Sequence, residues 1–167
     1  MLYTFSFAGE INARSLVDFI NFVNSIENIA PDDALTININ SPGGSVSDSV
    51  AIYNIIKKLP CNVITHNLGE VSSAAILLYM AGKTRTAEDI SKFVFHPPIR
   101  SLNGNHNYYQ LKEVLENLTT DINNYCSIVT ATIPTITEKY DILKSLTCEA
   151  LVLTKNDAVA CGIVTIL

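Results

Sequence analysis

Segments with a strand-like pattern alternate with segments with a helix-like pattern along most of this chain, and this alternation most constrains its fold. In Ala34–Asn40, for example, apolar and polar residues alternate as they do in a strand with one buried face. The predicted strands are Leu2–Phe7, Ala34–Asn40, Asn62–Asn67, Lys92–Phe95, Leu151–Leu153 and Ile163–Leu167. Strands separated by helices favour right-handed crossovers, so the pattern predicts an α/β fold with a mainly parallel sheet.

The spacing of apolar residues predicts helices between these strands. The first has one apolar stripe at helical intervals, formed by Leu16, Phe19, Ile20, Val23 and Ile26. Further helices are predicted to begin at Ser45 and Thr154, and a buried helix to span Ser72–Met80. A long amphipathic helix of about four turns covers Leu111–Tyr125.

Length and composition limit the class of protein. A chain of 167 residues with no visible linker or repeat is expected to form one domain over residues 1–167. Charged residues make up 16% of the chain, against about 25% in ordinary soluble domains, while 48% are hydrophobic. We therefore expect part of the apolar surface to lie in a subunit interface. The net charge of -5 argues against binding nucleic acid.

Targeting and metal-binding signals are missing from the sequence. No apolar run approaches the ~20 residues that cross a bilayer, and the N-terminus lacks the features of a signal peptide. The four cysteines are widely scattered without a C-x-x-C pair, which suggests neither a metal site nor a disulfide framework. We expect a cytoplasmic protein with reduced thiols, bound neither to a membrane nor to a cofactor.

Two junctions between a strand and a helix carry candidate functional residues. In residues 41–45 (SPGGS), consecutive glycines allow close approach of the backbone to a ligand and free amides to face an anion; a simple tight turn is the alternative. In residues 69–75 (GEVSSAA), a serine at the turn, Ser72 or Ser73, would hold its hydroxyl above the sheet, and the amide of the next residue would face an oxyanion. The alternative role for this serine is a helix N-cap.

A histidine comes directly after the predicted strand Lys92–Phe95. His96 is a candidate general base if a serine lies within reach, and otherwise a buried structural residue. A second histidine, His66, lies near the end of its strand and is expected to make structural hydrogen bonds.

Taken in order, these residues resemble a known family, the Clp protease proteolytic subunit. The match extends from residues 7–11 to the C-terminus. The segments that carry it are Asn40-Ser41-Pro42-Gly43-Gly44-Ser45-Val46, Ala51-Ile52-Tyr53, Gly69-x-x-x-Ser73, His96-x-Pro98 and Asp157-Ala158-x-x-x-Gly162-Ile163-Val164.

The resemblance implies a fold, a site and an activity. The fold is the ClpP/crotonase spiral of ββα units, with a protruding handle helix at about residues 105–130 that pairs subunits. Ser73 takes the nucleophile position, His96 the general base, and the amides of Gly44 and Ala74 the oxyanion hole; no metal or other cofactor is implied. The activity is that of a serine endopeptidase cleaving short peptides or unfolded polypeptides inside a homo-oligomeric chamber of single or stacked rings.

The sequence departs from the family at two places. The family's catalytic aspartate aligns with Ala150, so Glu149, one residue early, becomes the candidate acid, with Asp141 as a weaker one. Because a strand alternates faces, this slip predicts reduced activity. A catalytically weak or inactive paralogue acting as a ring subunit, and a crotonase-type acyl-CoA enzyme, are the alternatives. The short segment before the first strand makes partnership with an AAA+ unfoldase uncertain.

Overall fold

The computed structural model describes residues 1–165. Within this range the chain forms six β-strands, six α-helices and a short 3₁₀ helix at Pro134–Glu138. The strands are β1 (Leu2–Ala8), β2 (Ala34–Ser41), β3 (Asn62–Ser72), β4 (Thr84–Ala87), β5 (Lys92–Phe95) and β6 (Leu151–Thr154). The helices are α1 (Ala13–Ser25), α2 (Val46–Lys58), α3 (Ala75–Met80), α4 (Tyr108–Thr132), α5 (Ile142–Thr147) and α6 (Lys155–Ala160).

The strands form one sheet in the order β1-β2-β3-β5-β6, with β4 paired to β3 beside this path. All pairings are parallel except that of β5 with β6, which is antiparallel. This confirms the predicted α/β fold with a mainly parallel sheet. The 11-residue strand β3 has two neighbours on one side, because residues 64–67 pair with β4 and residues 70–72 pair with β5.

Several predicted boundaries were wrong. Strand β3 continues through Leu68 and Gly69, which look like a loop in sequence, so the helix predicted to begin at Ser72 begins at Ala75 instead. The irregular pairing of β2 with β3 accommodates this extension. The final strand, predicted at Ile163–Leu167, is wrong over residues 163–165, which are not in a strand; residues 166 and 167 lie outside the described residues.

The core lies where helices cover the sheet. Helix α1 packs on β1 through edge-to-face and tilted aromatic contacts among Phe5, Phe7, Phe19 and Phe22. Of the stripe predicted for α1, Phe19 is fully buried, whereas Ile20 is partly exposed. All residues of α3 are buried, which fixes this short helix directly behind the end of β3.

Helix α4 is the long helix expected from the sequence and the handle of the fold, but it extends beyond the predicted Leu111–Tyr125 at both ends. It has 25 residues, of which only Tyr125 and Val129 are fully buried, both in its second half. Its first half exposes large apolar side chains: Tyr108, Tyr109, Leu111 and Leu115. Neither α4 nor any other helix in residues 1–165 is long and apolar enough to cross a membrane.

The loop after β2 packs against the turn after β3. A Cβ atom on Gly43 would lie 2.7 Å from the Ser72 carbonyl oxygen and 2.7 Å from the Ser73 Cβ, and Gly43 has a φ of +97°. Both the contact and the backbone conformation therefore require glycine at this position. This contact brings together the two junctions, residues 41–45 and 69–75, that carry candidate functional residues.

We expect Gly43→Ala to lower the free energy of unfolding by more than about 2 kcal/mol, because strain in a left-handed backbone adds to a steric clash. Gly104→Ala is the matched control, since Gly104 also has a positive φ but nothing lies within 4 Å of its Cβ position. The control should lose only about 1–2 kcal/mol. Urea denaturation of both variants measures the difference, and equal losses would contradict the close packing of the two loops.

Candidate active site

Ser73 occupies a strained turn between β3 and α3. Its φ is +52°, a left-handed conformation that is uncommon for residues other than glycine. Its amide donates a 2.8 Å hydrogen bond to the Val94 carbonyl on β5. The turn is therefore fixed to the strand that leads directly to His96.

A buried tyrosine on the handle helix also holds this turn. The Tyr125 hydroxyl donates a 3.0 Å hydrogen bond to the Ser73 carbonyl, which also accepts the Ile76 amide. Burial raises the pKa of the Tyr125 phenol well above its ordinary value, so the hydroxyl keeps the proton that it donates. Sequence reasoning placed Tyr125 in an apolar stripe and missed this contact, because it joins residues 52 positions apart.

The alternative role of Ser73 as a helix cap is wrong. The N-cap residue of α3 is Ala74, and no side chain makes a capping hydrogen bond there. Within residues 1–165 the Ser73 hydroxyl has no hydrogen-bond partner, although the residue is partly accessible. Its oxygen is therefore not committed to a structural contact.

His96 follows β5 and precedes two prolines, which restrict the local backbone to extended conformations. Its Nδ1 lies 2.8 Å from the Pro97 carbonyl oxygen. A carbonyl oxygen only accepts hydrogen bonds, so this contact requires the proton on Nδ1 and leaves Nε2 of a neutral ring as an acceptor. A general base needs this tautomer.

Ser73 and His96 line the same two adjoining cavities. The smaller, of about 280 Å³, has mostly apolar walls that include Ala74, Ile122 and Leu146. The larger, of about 620 Å³, also reaches Gly44. The serine and the histidine make no hydrogen bond with each other in the described part of the chain, and such bonds are often long in enzymes without substrate.

The two amides predicted for the oxyanion hole border these cavities. Hydrogen bonds between Ile11 and the residues on either side of Gly44 hold the glycine loop: Ile11 donates to Gly43, and Ser45 donates to Ile11. A Cβ atom on Gly44 would lie 2.2 Å from the Ile11 carbonyl oxygen, so only glycine fits. In residues 1–165 the amides of Gly44 and Ala74 have no hydrogen-bond acceptor, which leaves both free for a substrate oxygen.

Within residues 1–165, neither candidate acid forms a hydrogen bond or an ion pair with His96. The Glu149 carboxylate is 68% exposed and lies 2.5 Å from the Lys144 ammonium. Asp141 caps α5 by accepting the Lys144 amide.

The pairing of β5 with β6 explains why the Glu149 carboxylate does not bond to the His96 imidazole. Phe95 and Leu151 form the last pair of this antiparallel ladder, and extending its register by one residue would place Ala150 opposite His96. Directly opposed residues share a face of the sheet, whereas the next residue, Glu149, points to the other face. The position that the extended register places opposite His96 therefore carries no carboxylate.

His66 bonds to the side chains of Thr86 and Glu88 through its two ring nitrogens, at 2.8 and 3.1 Å, in the structural role expected for it. Asp121, on α4, lines both cavities and was missed in the sequence, where nothing distinguishes it from a surface charge. No group of three or more histidine, cysteine or carboxylate side chains in residues 1–165 is arranged to hold a metal ion.

Comparison with known proteins identifies the family. Residues 4–166 match the family model described as Clp protease, so the chain belongs to the Clp protease family. It is 32% identical to the ATP-dependent Clp protease proteolytic subunit 1 of Thermobifida fusca, over 65% of this chain and 49% of that protein. Identity to the subunit of the same name from Rhodopirellula baltica is 36%, over 58% and 43% of the two chains. The chain thus spans less than half the length of these curated relatives.

A solved structure supports the same assignment. A mutant ClpP1 from Listeria monocytogenes superposes with a TM-score of 0.76 at 26% sequence identity. The alignment covers 96% of this chain and 88% of that one. The fold is therefore the ClpP type that the sequence resemblance implied.

We expect Ala150→Asp to increase the rate at which a fluorophosphonate probe labels Ser73, because a carboxylate would then face the His96 imidazole. The gain should be at least tenfold, and up to about 10⁴-fold, since losing this carboxylate has that effect in serine proteases. Labelling kinetics followed by gel fluorescence measure it.

Glu149→Gln is the companion variant, because it removes the neighbouring carboxylate without adding one at position 150. Its labelling rate should equal that of the wild type. A large loss in this variant would instead identify Glu149 as the acid, and no gain in Ala150→Asp would refute the register argument.

Proposed function

We propose that the chain is a serine peptidase of the Clp type, folded as a single domain, that cleaves short peptides or unfolded polypeptides. The observation that carries this proposal is the meeting of Ser73, His96 and the unbonded amides of Gly44 and Ala74 around two adjoining cavities. A nucleophile, a base and two oxyanion donors are the groups that acyl transfer requires. Membership of the Clp protease family supports the same chemistry.

In the proposed mechanism, His96 Nε2 accepts the proton of the Ser73 hydroxyl as the oxygen attacks a peptide carbonyl. The amides of Gly44 and Ala74 donate hydrogen bonds to the resulting oxyanion. The protonated imidazole then gives its proton to the leaving amine, and an acyl-enzyme remains on Ser73. Water, deprotonated by His96, hydrolyses the ester and restores the serine.

The rate should be low for an enzyme of this kind. The Pro97 carbonyl fixes the tautomer of His96, but it is neutral and therefore stabilises the imidazolium less than a carboxylate does. This absence of an acid favours the second candidate function, a weak or inactive subunit that serves as a ring component. The comparisons give no support to the acyl-CoA alternative, since the matching family model is that of Clp protease.

We further propose assembly into rings that enclose the active sites. The apolar side chains exposed on the first half of α4 support a subunit interface at the handle helix. We also propose that the protein is cytoplasmic. The four free thiols in the described chain are consistent with a reducing compartment.

We expect Ser73→Ala to abolish labelling by a fluorophosphonate probe, because the probe reacts with the serine that attacks substrate. Ser72→Ala is a closely matched control, since it removes a buried neighbouring hydroxyl and should leave labelling intact. Hydrolysis of a fluorogenic peptide should follow the same order. Labelling that persists in Ser73→Ala would refute the nucleophile, whereas an unlabelled wild type that still forms rings would favour the inactive subunit.

We expect Leu115→Arg to reduce the size of the assembly, because it places a charge in the proposed handle interface. Glu116→Arg is the matched control on the same helix, as the two side chains are exposed to the same degree, 65% and 66%. Sedimentation velocity measures the change. An unchanged sedimentation coefficient in Leu115→Arg would contradict the interface.

A further inference from the structure

One carboxylate lies where the proposed chemistry does not need it. Asp121, on α4, lines both cavities beside Ser73 and His96, and among residues 1–165 it is the only acidic residue that lines either one. Its side chain is 21% exposed. A carboxylate this close to the nucleophile affects which substrate side chains are accepted.

The walls of the smaller cavity around Asp121 are mainly apolar, whereas Arg100 and Ser45 line the larger one. Val46, Ile122 and Leu146 line the smaller cavity together with the ring of Tyr125. The smaller cavity opens into the larger one, since Val46, Ser73, His96, Pro98 and Asp121 line both, and a long side chain can lie along this shared, solvent-open depression. A cavity with apolar walls and one carboxylate suits an aliphatic chain that ends in a cation, because the stem is buried while the charge is paired.

The present partner of Asp121 is weakly held. Arg100 makes a single 3.3 Å hydrogen bond to the Asp121 carboxylate, from a side chain that is 55% exposed. Because the Arg100 side chain lies largely in water, this pair is screened by solvent and contributes only about 0–1 kcal/mol to stability, so a substrate cation can replace it. The displaced guanidinium remains in water, whereas the carboxylate keeps a partner.

We propose that Asp121 is a specificity-determining residue that favours lysine at P1, the substrate residue whose carbonyl Ser73 attacks. This inference rests on the proposed peptidase function. The lysine methylenes pack against the apolar wall and the ammonium pairs with Asp121 in place of Arg100. An acidic P1 side chain would face the same carboxylate and is disfavoured.

The test compares two fluorogenic peptides that differ only at P1, which is lysine in one and norleucine in the other. Norleucine keeps the aliphatic stem and lacks the ammonium. We expect the wild type to favour lysine by about tenfold in kcat/KM, as for one charge-paired contact in a partly buried site. In Asp121→Asn the ratio should fall to about one or below.

Two further variants sharpen the comparison. Glu116→Gln removes the same charge from an exposed position on α4 and should leave the lysine preference unchanged. Arg100→Gln removes the competing cation and should increase the preference. A preference for glutamate that disappears in Arg100→Gln would overturn the assignment, because it would make Arg100 the residue that selects substrate.

A peptide-binding experiment tests the role of Asp121 independently of the proposed peptidase function. Ser73→Ala and the double variant Ser73→Ala/Asp121→Asn are titrated with the two peptides by fluorescence anisotropy, which requires no hydrolysis. We expect the lysine peptide to bind about tenfold more tightly to Ser73→Ala, with the difference lost in the double variant. Equal binding of both peptides, or binding of neither, would overturn the role of Asp121 even if peptides are cleaved; a preserved difference without cleavage by the wild type would refute only the peptidase function.

Discussion

The pairing of the end of β3 with β5 is the constraint on which the candidate site depends. The hydrogen bond from the Ser73 amide to the Val94 carbonyl brings a strained turn next to a strand that ends at His96. Without the extra length of β3, the strand would pair only with β4 on the side opposite β2, and the serine would have no neighbour from β5. A long central strand thus brings together two residues that are 23 positions apart in sequence.

The left-handed conformation of Ser73 persists because three separate parts of the chain support it. Gly43 allows the loop after β2 to pack on the turn, Tyr125 bonds to the Ser73 carbonyl from α4, and the buried helix α3 anchors the C-terminal side of the turn. Strain of this kind costs about 1–3 kcal/mol and is retained where surrounding contacts over-determine the backbone. The same contacts leave the hydroxyl itself without a structural role.

The local parts of this arrangement were predictable from sequence, and the long-range parts were not. Alternating segments predicted the parallel sheet, and short motifs predicted Ser73, His96 and the glycine loop because each depends on neighbouring residues. Strand β4 has only four residues, TRTA, with too little periodicity to be recognised. The contacts of Tyr125 and Asp121 depend on where α4 lies in the fold, which the spacing of its apolar residues does not specify.

The acceptor for His96 Nδ1 belongs to the main chain rather than to a side chain. In a Ser-His-Asp triad this acceptor is a carboxylate side chain. A single substitution removes such a group, and low pH protonates it. Here it is the carbonyl oxygen of Pro97, which every amino acid would supply at that position and which does not ionise. The orientation of the His96 ring therefore does not depend on which side chain position 97 carries. It is lost only if the backbone conformation after β5 changes.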